Sequence, residues 1–523
     1  MGAWFDGITI ETLRWPLTVM YLGLLALIAA YGLHRYWLVL LYNRHRRTLP
    51  RPNKRFKALP RVTVQLPMYN EGLVAERVID TAVAMEYPRD RVQFQVVDDS
   101  TDHSKDITRR RVAYWRERGI DIEWVHRTDR KGYKAGALAE ATEHATGELI
   151  AIFDADFLPP KSFLKKTVHY FADPKIGMVQ TCWEHLNRTD SLLTRGQAIF
   201  LDGHFMIEHT ARNRSGAWIN FNGTAGMWRK ATIDAAGGWH GDTLTEDVDL
   251  SYRAQLEGWK FLFLPWVKCP AELPPEINSF KSQQHRWTKG SIQVAIKLLP
   301  TLLKAKVSPI IKAEAFFHLT SPMVYLYITL FALLFFPVLF LNLQPVGQDS
   351  WLGVLLGCSL FALGTVSATT FYIASQRAQR KSFWGTLVQV PLLMAIGIGI
   401  ALSNAVACIE ALLGHQSEFV RTPKYNVGGT TGKVDRSNNS RTAIAKLVPI
   451  PSLKRSICYL ELAMAGYMLY CFSVAISMPD TLVSIPFLLI FAAGYLYVGS
   501  TSLWAHYRVW RDGRRERRLA AAA

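Results

Sequence analysis

Leu149-Ile150-Ala151-Ile152-Phe153-Asp154-Ala155-Asp156 is a run of apolar residues that ends in two carboxylates one residue apart. A short, wholly apolar run reads as a strand buried on both faces, and the aspartates then emerge at its carboxyl end. Three similar runs precede it, Val62-Thr63-Val64-Gln65-Leu66, Phe94-Gln95-Val96-Val97 and Ile122-Glu123-Trp124-Val125, separated by stretches of helical pattern. Strands alternating with helices specify an α/β domain with a mostly parallel sheet covered on both faces. Ligands of such sheets sit beyond the carboxyl ends of the strands. Two of the earlier runs also lead into polar residues there, Pro67-Met68-Tyr69-Asn70-Glu71 and Asp98-Asp99-Ser100.

The flanks of this domain have a different composition. The chain has 523 residues, 50% of them hydrophobic, and a net charge of +18. Residues 44–300 read as a soluble globular protein, whereas long apolar runs dominate the C-terminal remainder of the chain, so a soluble domain joined to a membrane domain is expected. The Lys and Arg excess gathers beside apolar spans, at Asn43-Arg44-His45-Arg46-Arg47 and from Arg511 to Arg518. That is the pattern of cytosolic flanks of membrane helices, so anionic lipid and membrane orientation explain it and no nucleic-acid partner is expected. The cysteines, Cys182, Cys269, Cys358, Cys408, Cys458 and Cys471, are widely spaced and form no C-x-x-C. Neither a disulfide framework nor a zinc knuckle is indicated, which fits a reducing compartment.

Residues 16–33, continued by 36–41, lack a basic start and a small-residue cleavage site, so they read as a span with residue 1 outside and Arg44 in the cytosol. Residues 292–307 carry Ile, Val and Leu on one side with Lys297, Lys304 and Lys306 interspersed, which suits a helix in the membrane surface with snorkelling lysines. Further spans are expected at 322–343, 351–373, 387–407, 457–478 and 481–504. Six crossings would put the basic C-terminal tail outside. Segment 387–413, with Ser403, Asn404 and Glu410 in its second half, is therefore expected to lie in the interface or re-enter. The chain then divides into an N-terminal transmembrane helix (1–43), a cytosolic α/β domain (44–290), interfacial helices (291–320), transmembrane or interfacial helices (321–413), a polar loop (414–455), a transmembrane hairpin (456–506) and a basic cytosolic tail (507–523).

Asp154 and Asp156 suit a hard divalent cation that shares substrate phosphates, although a strand-end turn is the plainer use of such residues. Asp98 and Asp99 on another strand end favour the metal reading; the same segment also fits a helix cap, a role assigned to Ser100 or Asp102. Tyr69 and Glu71 are placed to hold a nucleotide's base and ribose. Lys131-Gly132-Tyr133-Lys134-Ala135-Gly136-Ala137 offers lysines to phosphate at a turn before a helix. In Leu244-Thr245-Glu246-Asp247-Val248-Asp249, repulsion among three carboxylates raises one pKa toward that of a general base, the alternative being an acidic helix start. Gln283 and Arg286 of Gln283-Gln284-His285-Arg286-Trp287 are expected to face the same way on a helix, with Trp287 beside them. Arg286 suits a diphosphate and Trp287 the apolar face of a sugar; a membrane-interface anchor is the other use of that tryptophan.

Taken together, these strings and Phe221-Asn222-Gly223-Thr224-Ala225-Gly226 resemble the inverting, processive family 2 glycosyltransferases with the Gln-x-x-Arg-Trp motif, which include cellulose synthase. The likeness is greatest to the plant cellulose-synthase-like enzymes that make mannan, glucomannan and xyloglucan backbones, and to their bacterial relatives, over roughly residues 16–430. The resemblance implies an α/β GT-A (Rossmann-like) catalytic domain embedded in an α-helical transmembrane domain, using a nucleotide sugar and Mg²⁺ or Mn²⁺. It implies that Tyr69, Glu71, Asp98, Asp99, Lys134 and Asp154 bind the nucleotide, that Asp154 and Asp156 hold metal and diphosphate, and that Asp247 deprotonates the acceptor. Gln283, Arg286, Trp287, Asn222, Gly223, Thr224 and Glu246 would bind pyrophosphate and acceptor. Phe419-Val420-Arg421-Thr422-Pro423-Lys424 is similar to the gating loop of cellulose synthase, with Thr422 and Lys424 on the diphosphate, while Arg421 replaces an apolar residue of that loop. No cyclic-dinucleotide-binding domain is recognisable, so activation of that kind is not expected. The implied reaction is hexose transfer from UDP-glucose, ahead of GDP-mannose, to a growing β-linked polysaccharide at the cytosolic side of an inner, plasma or Golgi-type membrane. The partners would be a glycan or lipid acceptor, the bilayer and, optionally, further copies in a homo-oligomer. The alternatives are a synthase that adds one sugar to ceramide or diacylglycerol, and a transporter or scaffold with a decayed enzyme domain.

Overall fold

The computed structural model describes residues 10–340, 351–419, 421–426 and 452–522. Seven strands form one sheet: β1 (Val62–Met68), β2 (Val92–Asp98), β3 (Ile122–His126), β4 (Leu149–Ile152), β5 (Ile176–His185), β6 (Gly226–Arg229) and β7 (Lys260–Ala271). Their order is β3-β2-β1-β4-β6-β5-β7. All neighbours are parallel except β6, which runs antiparallel to both β4 and β5. The four expected runs are β1 to β4, and the sheet is mostly parallel as expected. Chain order reverses between β1 and β4, the place where such a sheet opens a crevice. The segments that follow β1 and β4, carrying Glu71 and Asp154, therefore leave adjacent strand ends.

Alternation along each strand fills both faces. Val62, Val64 and Leu66 pack with Phe94, Val96 and the helix residues Val74 and Val78 on one side. Ile150 and Ile152 pack with Leu138, Trp228 and Phe263 on the other. Between Val62 and Leu66 the buried polar residues pair across strands, Thr63 donating to Gln93 at 2.8 Å and Gln65 to Gln95 at 3.0 Å.

The helix Ile277–Lys304 starts where the Glu276 carboxylate accepts the Asn278 and Ser279 N–H groups at 2.9 and 2.8 Å. It runs unbroken past residue 290, so the separate surface helix expected from 292 is instead its second half. Lys297 does not snorkel: it is ion-paired with Asp242 and Asp249, both at 2.8 Å. The carboxylates supply locally the partner that membrane-surface water would otherwise provide.

Among the described residues, three helices are long and apolar enough to cross a membrane, Trp15–His45, Ser456–Ile476 and Ile485–Asp512. Two bent pairs, Pro309–Thr320 with Met323–Leu333 (57°) and Phe383–Gly399 with Ala401–Leu412 (42°), are each a broken span or a re-entrant segment. The segment expected to span at 351–373 lies in the helix Trp351–Ala378, which is not among these candidate spans. Segment 387–413 falls in the second bent pair. Its later helix packs on Ile277–Lys304, where Glu410 meets Lys289 at 2.8 Å and His285 at 3.5 Å. Residues 1–9, 341–350, 420, 427–451 and 523 lie outside the described residues, so the expected outer N-terminus, the end of the 322–343 span, Val420, most of the polar loop and the last tail residue are not described.

Candidate active site

The strand ends open on a cleft that the helix Ile277–Lys304 divides. On one side, Asp154 accepts a hydrogen bond from Lys134 Nζ at 2.6 Å, and its own N–H donates to Thr224 Oγ1 at 2.9 Å. Asp156 Oδ2 meets Lys424 Nζ at 2.8 Å, while its Oδ1 is buried with no hydrogen-bond partner among the described residues. Glu71 pairs with Arg421 at 3.1 Å, and Asp99 takes a two-pronged bond from Arg127 at 2.8 and 2.6 Å. Tyr69, Asp99, Asp154, Arg286, Thr422 and Lys424 are among the residues around a cavity of 90 Å³. Arg130 lies over the Tyr69 ring at 3.4 Å. Phe419 sits 5.9 Å from the Tyr133 ring and 4.5 Å from the Arg286 guanidinium.

Charge on this side is balanced by the loop. Burial raises the Glu71 pKa, with Arg421 and Lys424 opposing. Burial works against the charged forms of Lys134 and Lys424, but Asp154 and Glu246 in the first case and Asp156 and Glu71 in the second hold both pKa values above the ordinary one. Burial lowers that of Arg286. Thr422 Oγ1 and Arg286 Nε, like Asp156 Oδ1, are buried without a partner among the described residues. Two hard carboxylates, one with an oxygen unpartnered among the described residues, and the donors of Arg286 and Thr422 fit a divalent cation bound together with a phosphate-rich ligand.

On the other side stands Asp247, in the first turn of the helix Glu246–Leu256. That turn is drawn against the dividing helix at Gly290, where a Cβ would come within 2.9 Å of the Thr245 backbone nitrogen. Asp247 Oδ1 accepts the Val248 N–H at 2.9 Å. Oδ2 lies 3.0 Å from the place a Cβ would occupy on Gly223, whose φ of +77° also favours glycine. Burial pushes the Asp247 carboxyl up to about 7, with Glu246 adding and Lys134 and Arg286 opposing. Asp247, Gln283, Trp287 and Asn222 line a second cavity of 510 Å³, which continues among the apolar helices to Leu25, Ile28, Phe331 and Phe491. Trp287 lies 6.4 Å from Trp183 in this wall.

Most residues expected at the site are brought together, but several have other tasks. Asp98 does not line the cleft: it is fully buried, accepting the Trp124 indole N–H at 3.1 Å and the Ser100 N–H at 2.9 Å. Asp102 Oδ1 accepts the Ser104 N–H at the next helix start, the capping role expected there. Thr224 is buried and bonds Asp154 rather than lining the acceptor side, and the Gly223 carbonyl accepts from Lys134 at 2.9 Å. Gln283 lines the same cavity as Trp287, not that of Arg286, because four residues return closer to the same helix face than three. Glu246 lies 3.9 Å from Lys134 in an adjoining cavity. Asp249 turns away to Arg253 and Lys297, so the group His240, Asp242 and Asp249, though close enough to hold a cation, is already neutralised by lysine and arginine. Sequence reasoning missed Arg127, Arg130 and Tyr133, whose signal lay beside the lysines already singled out. It also missed His204 and Glu208, for which no local pattern exists.

Residues 60–290 match the family described as Glycosyltransferase like family 2. The chain is similar to "Probable glucomannan 4-beta-mannosyltransferase 4" of Oryza sativa subsp. japonica, 43% identical over 254 residues, covering 48% of this chain and 46% of that protein. It is also similar to "Glucomannan 4-beta-mannosyltransferase 9" of Arabidopsis thaliana, 40% identical over 266 residues, covering 47% and 50%. The match thus spans about half the length of these curated relatives. Among solved structures, the mannosyltransferase PcManGT from Pyrobaculum calidifontis, in complex with GDP-Man and Mn²⁺, superposes with a TM-score of 0.54 at 21% identity, over 76% of this chain and 100% of that one. The sheet and its covering helices have the GT-A arrangement.

Proposed function

We propose, starting from residues 60–290 as a glycosyltransferase family 2 domain of GT-A fold, that the chain is a membrane-embedded inverting glycosyltransferase that extends a β-linked glycan from a nucleoside diphosphate hexose. One observation carries the reading. A single helix presents Arg286 to the cavity of Asp154 and Trp287 to the cavity of Asp247.

Asp247, with its pKa of about 7, takes the proton of an acceptor hydroxyl. The acceptor oxygen attacks the anomeric carbon from the side opposite the diphosphate, whose bond to that carbon breaks. One displacement converts an α-linked donor into a β-linked product. Arg286 and Lys424 counter the charge gathering on the departing diphosphate, and Trp287 supports the apolar face of the acceptor sugar. A divalent cation held by Asp154 and Asp156 supplies further neutralisation of that charge when bound.

UDP-glucose ranks first on sequence. The relatives named 4-beta-mannosyltransferases, and a fold neighbour that binds GDP-Man and Mn²⁺, favour GDP-mannose and Mn²⁺ here. Apolar helices beside the basic Arg44–Arg47 cluster support a multi-pass protein with this domain in the cytosol. A second reading, transfer of one sugar to a lipid alcohol, is favoured by the apolar far end of the larger cavity at Leu25, Ile28, Phe331 and Phe491. Purified protein with Mn²⁺ and either labelled GDP-mannose or labelled UDP-glucose separates these. A mannose-labelled ladder is the expected product; a single glycolipid supports the second reading, and no turnover of either donor overturns both.

A further inference from the structure

The residues leading to Asn222 contain a feature that the transfer chemistry has not used. The helix Leu192–Asp202 does not end but widens into a π-helical turn, Gly203–His209, before the helix Thr210–Ser215. Such turns insert one residue and re-aim the side chains around them, and they recur at functional sites. Here the turn sets His204 and Glu208 into the wall of the larger cavity.

We infer that Glu208, held by His204 and Arg212 and joined by Asn222, is a binding site for the hydroxyl groups of the acceptor's terminal sugar. The inference rests on the transferase reading and names the acceptor's receptor. His204 links the two halves, with Nδ1 3.0 Å from Glu208 Oε2 and Nε2 3.0 Å from Asn222 Oδ1. Asn222 precedes Gly223, which abuts Asp247, so the group lies one short step along the cavity from the base. Arg212 NH1 reaches the same Glu208 oxygen at 3.4 Å. Although burial opposes it, Arg212 and the bond from His204 hold the Glu208 carboxyl well below its ordinary pKa, so it stays an acceptor of hydrogen bonds. The same cavity is lined by the aromatic pair Trp287 and Trp183. Flat apolar rings and a fixed carboxylate in one cavity match a sugar ring, which has an apolar face and a rim of hydroxyl donors. A lipid chain alone would give the carboxylate no donor.

Glu208→Gln tests this without stranding the arginine, because Arg212 keeps Glu314 at 3.4 Å. Protein in detergent with Mn²⁺ and saturating GDP-mannose is titrated with a short β-1,4-linked mannose oligomer, and binding of labelled GDP-mannose is measured alongside. The acceptor KM is expected to rise by about ten- to a hundred-fold, since hydrogen bonds to a charged group are lost, while donor affinity stays near wild type. Glu208→Asp keeps the charge and shortens the reach, so a smaller rise is expected, and it carries the test if the glutamine variant fails to fold. An unchanged acceptor KM in the folded variant, or a donor affinity that falls in step with it, overturns the assignment. Wild-type protein that neither binds nor turns over a nucleotide sugar overturns the transferase reading instead, and is told apart because the variants are then not needed.

Discussion

With Asp247 as the proposed base, its carboxyl sets how transfer responds to pH. A carboxyl raised to about 7 keeps its proton through the mildly acidic range and becomes a base only as pH rises past neutrality. Transfer at saturating substrates is expected to fall about ten-fold per pH unit below pH 7 and to level off above it. Asp247→Asn should abolish transfer while donor binding remains. A rate–pH profile flat from 5 to 8, or turnover by the asparagine variant, would count against Asp247 as the base. Asp154, Asp156, Asp247 and Trp287 could be singled out as candidates, because a strand end or a helix start fixes where such residues emerge, but local pattern left a strand-end turn, an acidic helix start and an interface anchor as their other uses. Asp98 could not be placed: whether the last residue of a strand faces the cleft or the neighbouring Trp124 is set by the pleat, which the sequence does not count precisely enough. His204 and Glu208 gave no signal because their positions depend on a π turn that ordinary helical spacing does not anticipate.

The dividing helix Ile277–Lys304 is tied to the membrane helices by buried charges. Lys281 meets Glu461 at 2.7 Å, with side-chain exposures of 8% and 0%. Removing one partner leaves a charge without a counterion, whereas replacing both removes the desolvation cost as well. Glu461→Leu alone is expected to destabilise by on the order of 3–5 kcal/mol, and the pair Lys281→Met with Glu461→Leu to restore most of that. Thermal unfolding in detergent measures it; a double variant as unstable as the single one would show that packing, not charge, holds the joint. The pair was not legible in the sequence, since its members sit far apart and neither carries a local motif. The helix itself was, through Gln283 and Trp287, although its length was underread because an amphipathic pattern changes face smoothly into Ile292 and Val294. Strands β1 to β4 were read from their apolar runs, whereas β5 to β7, antiparallel or edge-bound, broke the alternation that made the others visible.

Across the molecule, the helix Ile277–Lys304 borders both the cavity of Asp154, Arg286 and Lys424 and the larger cavity that runs from Asp247 to the apolar residues Leu25, Ile28, Phe331 and Phe491. The soluble and membrane parts were separable by composition, but their crossings were not, because bends of 57° and 42° make helix length a poor guide to depth. In the described part of the loop, Arg421 and Lys424 lie on Glu71 and Asp156, the carboxylates a donor complex would engage. The most direct test is the structure of the Asp247→Asn protein with GDP-mannose and Mn²⁺. Manganese is expected on Asp154 and Asp156, the diphosphate against Arg286, and the anomeric carbon turned toward residue 247 and Trp287. A nucleotide bound in a different cavity, or manganese on His240, Asp242 and Asp249, would contradict this assignment.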